Sequence, residues 1–576
     1  MIVYPPSFPA VTGGETIHHK HEWIPHQWLW GMTIIVMVSQ IYGGFLQAAD
    51  YGDAYVDSSI GDASILNPVL MSDSASNDIC GLVFNGLVKY DKNIRMVGDL
   101  AESWEVSRGG LVITFHLRKG VRWHDGRPFT SDDVLFTYQK LRDPKVHTPY
   151  ASDFDDVESV QTPDPWTVRV TYRKVFAPGL ASWGMGIIPR HVYEASPRAD
   201  AGPLPKGEGA ARPGEAKYDF NTHPANRAPV GTGPYRFKEW KTDQYILLEA
   251  NPDYFEGRPF IQRYVYRIIP DSSVEFLEMR NQTIDSISLT PDQFKAYDSI
   301  FEHHQRFRYP SFKYVYFGFN LKNPLFKDLR VRQALAYAID RQSMVQGIVL
   351  GLGQPITGPF PVTSWAYNPA VEPVPYDPVR AQALFAESGW DKDTSGRLVK
   401  DGKPFTFTLM TNQGNKVREL CAEVIQQQLK KVGIDVTIRI VEWSTLIHQY
   451  IDKKDFEAIV MGWQLGRDPD NYMMWHSSQQ KEGQYNFCGY ENPRVDRWLV
   501  DARETFDVAK RKALYHQIHA RIAADLPYIF LYCPDELVAI HKRFRGPEVA
   551  PLGLAWNFRE WWVPKDEQKY KTVMTP

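Results

Sequence analysis

Apolar and polar residues alternate over Trp166–Tyr172. Trp166, Val168, Val170 and Tyr172 fall on one face, and Thr167, Arg169 and Thr171 on the other. A period of two predicts a half-buried strand. Leu111–Leu117 repeats the pattern and Ser131–Leu141 reads as a helix, so residues 90–200 are expected to form a β-rich unit with one helix. Residues 196–217 are rich in Pro, Gly and Ala, which predicts an exposed loop. The period changes in the C-terminal half. Phe405–Met410 predicts a strand. Over Lys416–Lys431 the residues Val417, Leu420, Cys421, Val424, Ile425 and Leu429 recur at helical steps, and Gly433 stops the helix. Ile434–Ile440 alternates strictly, Ser444–Ile451 predicts a second helix, and Phe456–Trp463 another strand. Asp377-Pro378 followed by Gly389 marks a helix with an N-cap, a first-turn proline and a C-terminal glycine. Strand–helix–strand–helix–strand implies parallel pairing with right-handed crossovers, an α/β lobe.

Open α/β sheets bind ligands beyond the carboxyl ends of their strands. Here those ends are Thr411–Gly414, Glu442-Trp443 and Trp463–Gly466. They are polar, aromatic and glycine-containing, as the wall of a cleft should be. Asn412, Gln413, Trp443, Trp463, Gln464 and Leu465 are therefore candidate ligand-binding residues.

The length of 576 residues predicts three to four domains or lobes at roughly 150 residues each. With 43% hydrophobic and 23% charged residues, the composition excludes a polytopic membrane protein, a disordered chain and a fibre. Lys and Arg number 65 and Asp and Glu 68, a net charge of −3, which gives no electrostatic reason to expect nucleic acid as a partner. The 17 Trp, 30 Tyr and 30 Phe suit a core and equally a ligand cleft. No charged residue occurs between Gln27 and Ala49, an apolar run at 28–38 follows His18-His19-Lys20-His21, and small residues close the segment. Residues 1–49 therefore predict a secretory signal peptide, with an uncleaved membrane anchor as the alternative. Cys80, Cys421, Cys488 and Cys533 include no C-x-x-C pair, which removes zinc and thioredoxin chemistry. Up to two disulfides or four buried thiols remain open. There is no G-x-S-x-G elbow, no phosphate loop and no G-x-G-x-x-G; Gly231-Thr232-Gly233-Pro234 is a tight turn whose proline lacks the N–H a phosphate would need. No catalytic activity, metal or cofactor is expected.

Ten fragments, in order, resemble the family 5 extracellular solute-binding proteins, the peptide- and nickel-binding components of ABC importers. They begin with Leu66-Asn67-Pro68, Phe84–Val88 and Asp99–Trp104. Phe115–Val134 covers the family signature. Gly231–Tyr235, Asn251–Phe255, Asp328–Asp340, Gly462-Trp463, Asp468–Asn471 and Asn486 to Pro493 complete the set. The likeness spans about Asp53 to Pro564. It implies an α/β, two-lobed periplasmic-binding-protein fold of class II, cluster C type. Lobe I would comprise 50–315 and 533–576, with 90–200 as an extra β-rich subdomain, and lobe II 316–532. The crossing strands would lie near Tyr314–Asn320 and Pro527–Tyr532. It further implies a monomeric periplasmic protein that shuts over a peptide and presents it to permease subunits in the inner membrane, without covalent chemistry. A nickel chelate, haem or another small solute is the alternative ligand, and an exported hydrolase a remoter reading. The resemblance adds Asn67, Asp468 and Asn486 to the candidates. The carboxylate that pairs with a peptide's α-amino group in dipeptide binders is missing from its place after Trp463, which leaves Asp468 or Asp470 to replace it.

Overall fold

The computed structural model describes residues 49–194 and 218–570. The proposed signal segment, save Ala49, and the loop at 196–217 lie outside the described residues. Among the described residues no helix is long and apolar enough to cross a membrane.

The alternation at 166–172 forms the strand Thr167–Tyr172, with Val168 and Val170 fully buried and Arg169 exposed. It is one of four antiparallel strands in the order Ala101–Ser107, Val112–Leu117, Thr167–Tyr172, Val157–Asp164. The helix Ser131–Arg142 packs on this sheet. Asp133, in its first turn, accepts from the Thr130 and Arg190 amides (both 3.0 Å) and from Trp123 Nε1 (3.2 Å). The family-signature stretch is thus a structural knot that holds the subdomain together. A second four-stranded sheet runs Gly52–Ser59, Ile261–Ile268, Tyr245–Ala250, Tyr235–Lys241, its first pair parallel.

The α/β half forms as its periodicity requires. Thr406–Asn412 pairs in parallel with both Asp435–Val441 and Ala458–Gln464. The helix Lys416–Lys431 starts where the Asn415 side chain accepts from the Arg418 amide, and ends before Gly433, whose φ of 96° suits glycine. Its buried stripe is Cys421, Ala422, Ile425, Gln428 and Leu429. Leu420, expected on that stripe, is 46% exposed. One residue is 100° of helix rotation, so beside Cys421 it turns outward. The next helix opens as Trp443–Thr445 and widens into a π-turn over Leu446–Ile451, where a five-residue step buries both Leu446 and Ile451. All four cysteines are buried free thiols.

The 14-residue strand Tyr528–His541 joins the halves. Its first part pairs with Lys313–Phe319 and its second with His304–Pro310. The chain therefore passes between the halves at 310–313 and again at 532–535. The apolar cores divide in the same way. One pair of clusters draws its buried members from 55–307 and 537–563, with Leu352 added, and the other pair from 314–532. The molecule has two lobes, and both chain crossings run along the floor of the space between them.

Candidate functional site

A cavity of about 990 Å³ lies between the lobes. Its floor is the crossing itself, where Tyr314 pairs with Trp463 in adjacent strands. On one side stand Asp57, Asp78, Tyr150 and Glu275 of the first lobe. On the other stand Arg418, Trp443, Gln464 and Tyr485 of the second. The lobes touch around it: Trp443 packs on Gly61, Tyr150 meets Tyr485 edge-on at 6.5 Å, and Arg467 donates to the Leu552 carbonyl at 2.6 Å.

The expected strand-end residues divide. Trp443, Trp463, Gln464 and Leu465 line the cavity. The Trp463 ring lies parallel to Phe487 (5.7 Å between centroids) and edge-on to Tyr485 (5.3 Å). Its Nε1 is buried behind the ring without a hydrogen bond; the Tyr528 hydroxyl is near but out of bonding geometry. Trp463 therefore presents a ring face, not a donor. Asn412 and Gln413 do not line the cavity. Asn412 is buried and accepts from Arg418 at 2.8 Å, so it aims the guanidinium that does, and Gln413 is turned to solvent.

Two more asparagines are placed behind the walls. Asn67 donates to Tyr193 and Asn226 and accepts from the Val69 amide, all at 2.8–3.1 Å, and none of its polar atoms is left over. Asn486 donates to the carbonyls of His476 and Tyr490 and accepts from the Tyr490 amide. It holds the loop whose Tyr485 and Phe487 reach the cavity.

The charges are arranged asymmetrically. Asp468 and Asp470 line the cavity, but both already have guanidinium partners. Arg511 grips Asp468 through two bonds (2.8 and 2.6 Å), and Arg503 donates to Asp470 at 2.8 Å. Carboxylates without a cation partner among the described residues stand on the opposite wall, Asp78 and Glu275 included. Asp78 is exposed to the cavity and has no hydrogen bond or ion pair among the described residues. Protein enclosure raises its pKa to about 7, against the pull of Lys313, and Asp57, Asp73 and Glu536 add to the rise. Glu275, on the same wall, is buried, and desolvation raises it to about 7 as well. On the second lobe, Arg418 sits in the first turn of Lys416–Lys431, at the positive end of that helix. The arrangement offers a carboxylate wall, a guanidinium at a helix start and aromatic faces, which suits a zwitterionic, partly apolar solute. Sequence reasoning missed Asp78, Glu275 and Arg418. Only Arg418 had a local signal, its place at a helix start directly after a strand end. No His or Cys lines the cavity, and no cluster of three or more metal-ligating side chains occurs among the described residues.

Residues 95–484 match the family model described as bacterial extracellular solute-binding proteins, family 5 Middle. The chain is 37% identical over 522 residues to the oligopeptide-binding protein AppA of Bacillus subtilis (strain 168), covering 89% of this chain and 92% of that one. The structure of AppA in complex with a nonapeptide superposes with a TM-score of 0.83 at 35% identity, over 90% of this chain and all of that one. NikZ of Campylobacter jejuni in complex with Ni(L-His) superposes at 0.78 with 28% identity, over 89% of this chain and 99% of that one. Heme-binding protein A of Haemophilus influenzae is 29% identical over 507 residues, 84% of this chain and 88% of that one.

Proposed function

The chain belongs to the bacterial extracellular solute-binding proteins of family 5, and from that premise we propose that it captures oligopeptides between its lobes and hands them to an ABC permease. The observation that carries the peptide reading is the interlobe cavity. At about 990 Å³ it stands at the top of the range of roughly 300–1,000 Å³ usual for small-molecule sites, room for an extended peptide rather than one amino acid. Carboxylate and guanidinium on opposite walls match a chain with an amine at one end and a carboxylate at the other. The ligand contacts are assigned to Trp443, Trp463, Gln464 and Leu465, joined by Arg418 and Asp78.

Binding is a population shift. A solute that touches both walls favours the shut form by the contacts that only that form provides. The lobes turn about 310–313 and 532–535, residues 1–49 direct the protein to the periplasm, and it works there as a monomer. Native mass spectrometry tests the ligand class. The protein, stripped by unfolding and refolding, is mixed with nonapeptides of randomised sequence. Adducts of whole-peptide mass, returned intact on denaturation, are the expected result. Adducts confined to metal chelates or haem, or steady release of cleaved peptide, would overturn the reading.

A further inference from the structure

Outside the cavity lining, the Arg503 guanidinium bridges the lobes with all three of its nitrogens donating. Arg503 ends the helix Pro493–Arg503 of the second lobe and is 5% exposed. Its Nε donates to Asp470 of the same lobe (2.8 Å). One terminal nitrogen donates to Asp153 Oδ1 (2.8 Å) and the other to the Ser152 carbonyl (3.0 Å), both in the short turn Ala151–Phe154 of the first lobe's β-rich subdomain. The guanidinium plane lies over the Tyr472 ring at 3.9 Å and near Phe176 at 5.3 Å. The chain around it crosses too. The Ala177 amide donates to the Arg503 carbonyl (2.5 Å), and Lys174 pairs with Glu504.

We propose that Arg503 is a closure latch, held ready by Asp470 in the second lobe, that docks on Asp153 and the Ser152 carbonyl when the lobes shut and so sets how long the solute is retained. The inference rests on the reading that the lobes shut over a solute. Arginine suits the task because its rigid planar fork aims donors in fixed directions at two carboxylates and a carbonyl at once, whereas a lysine ammonium has three donors and no fixed plane. In an open molecule Arg503 keeps Asp470, while Asp153 and Ser152 return to water. Burial and the like charges of Asp470 and Asp468 act against the Asp153 carboxylate, and Arg503 acts for it. Two acids therefore share one cation, and the shut form tolerates them only with that cation in place. Asp470 lines the cavity as well, so the latch abuts the solute chamber.

The test measures closure directly. Nitroxide labels at Lys119→Cys in the first lobe and Arg494→Cys in the second report the interlobe distance by pulsed electron resonance, without peptide and with the randomised nonapeptides. Asp153→Arg, which sets a cation against Arg503, is expected to remove the short-distance population and to speed peptide release at least tenfold. Asp153→Asn, which keeps the shape, should fall between, and it keeps the test decisive should Asp153→Arg fold poorly. Glu158→Arg makes the same charge change on an exposed site of the same subdomain and should behave as wild type. Wild-type closure in both Asp153 variants, or equal opening by Glu158→Arg, would overturn the latch. If wild type retains no peptide while Asp153→Arg still shifts its unliganded distances, the ligand reading falls and the latch stands.

Discussion

Trp463 gives a sharp test of the binding site because its two chemical features point in different directions. Its ring face borders the cavity, while its indole N–H is buried and unbonded. Truncation to alanine removes the face. Central aromatic anchors of this kind are worth about 2–3 kcal/mol, so Kd should rise about 30- to 150-fold. Replacement by phenylalanine keeps a ring against Phe487 and deletes an N–H that makes no bond. An unsatisfied buried donor costs about 1–3 kcal/mol, which offsets the lost packing of the smaller ring. Trp463→Phe should therefore hold the unliganded stability within about 1 kcal/mol of wild type and weaken affinity less than about threefold. The assay is titration calorimetry with one peptide recovered from the native-mass experiment, paired with thermal unfolding of the unliganded protein. Equal losses for Phe and Ala would show that the N–H is what the ligand reads. No loss for Ala would remove Trp463 from the site.

Two further perturbations act on closure and on pH. Gly414 has a φ of 82°, and a Cβ there would stand 2.1 Å from the Pro270 carbonyl oxygen of the first lobe. Gly414→Ala should cost about 1 kcal/mol of stability from its backbone alone and weaken peptide binding at least tenfold, because only the shut form makes the clash. A binding curve identical to wild type would refute this. Glu275 holds its proton to about pH 7 in the fold, against 4.5 for the unperturbed group. Ionising it in place is unfavourable, so it costs stability as pH climbs from 4.5 to 7 and no more above that. Glu275→Gln should match wild type near pH 4.5 and gain up to about 3 kcal/mol on it by pH 8. A thermal-midpoint difference that stays flat with pH would contradict the assignment.

Much of the second lobe was legible because its signals are local. The Lys416–Lys431 helix and the strands that flank it follow from period and stop within some 60 residues, and the parallel pairing then follows from order alone. Side-chain direction at loops was not legible. An asparagine completes turns as readily as it meets a ligand. Asn67, Asn412 and Asn486 all spend their amides on the fold, two behind the walls and one behind Arg418. The first lobe's wall was not legible either. Asp78 lies in the helix Ser74–Val83 and Glu275 in Ser272–Arg280, some 200 residues apart, and only the tertiary fold turns both to one chamber.

The search for a carboxylate to receive a peptide amine shows what that limit does to function. Adjacency to Trp463 points to Asp468 and Asp470. Each is matched by a helix arginine that arrives 33 or 43 residues later in the chain, so neither has charge to spare. Asp78, across the chamber, does. A peptide amine seated there would be favoured only by the ionised acid, whose pKa of about 7 lies above its ordinary 3.8. Affinity for a peptide with a free amine should then rise between pH 6 and 8, with a proton released on binding. The same peptide acetylated at its amine should show a flat profile, and Asp78→Asn should bring the two peptides together. Calorimetry in buffers of different ionisation enthalpy reads the proton. Parallel pH profiles for the free and acetylated peptides would return the amine to the second lobe, where only displacement of Arg511 or Arg503 could make room for it.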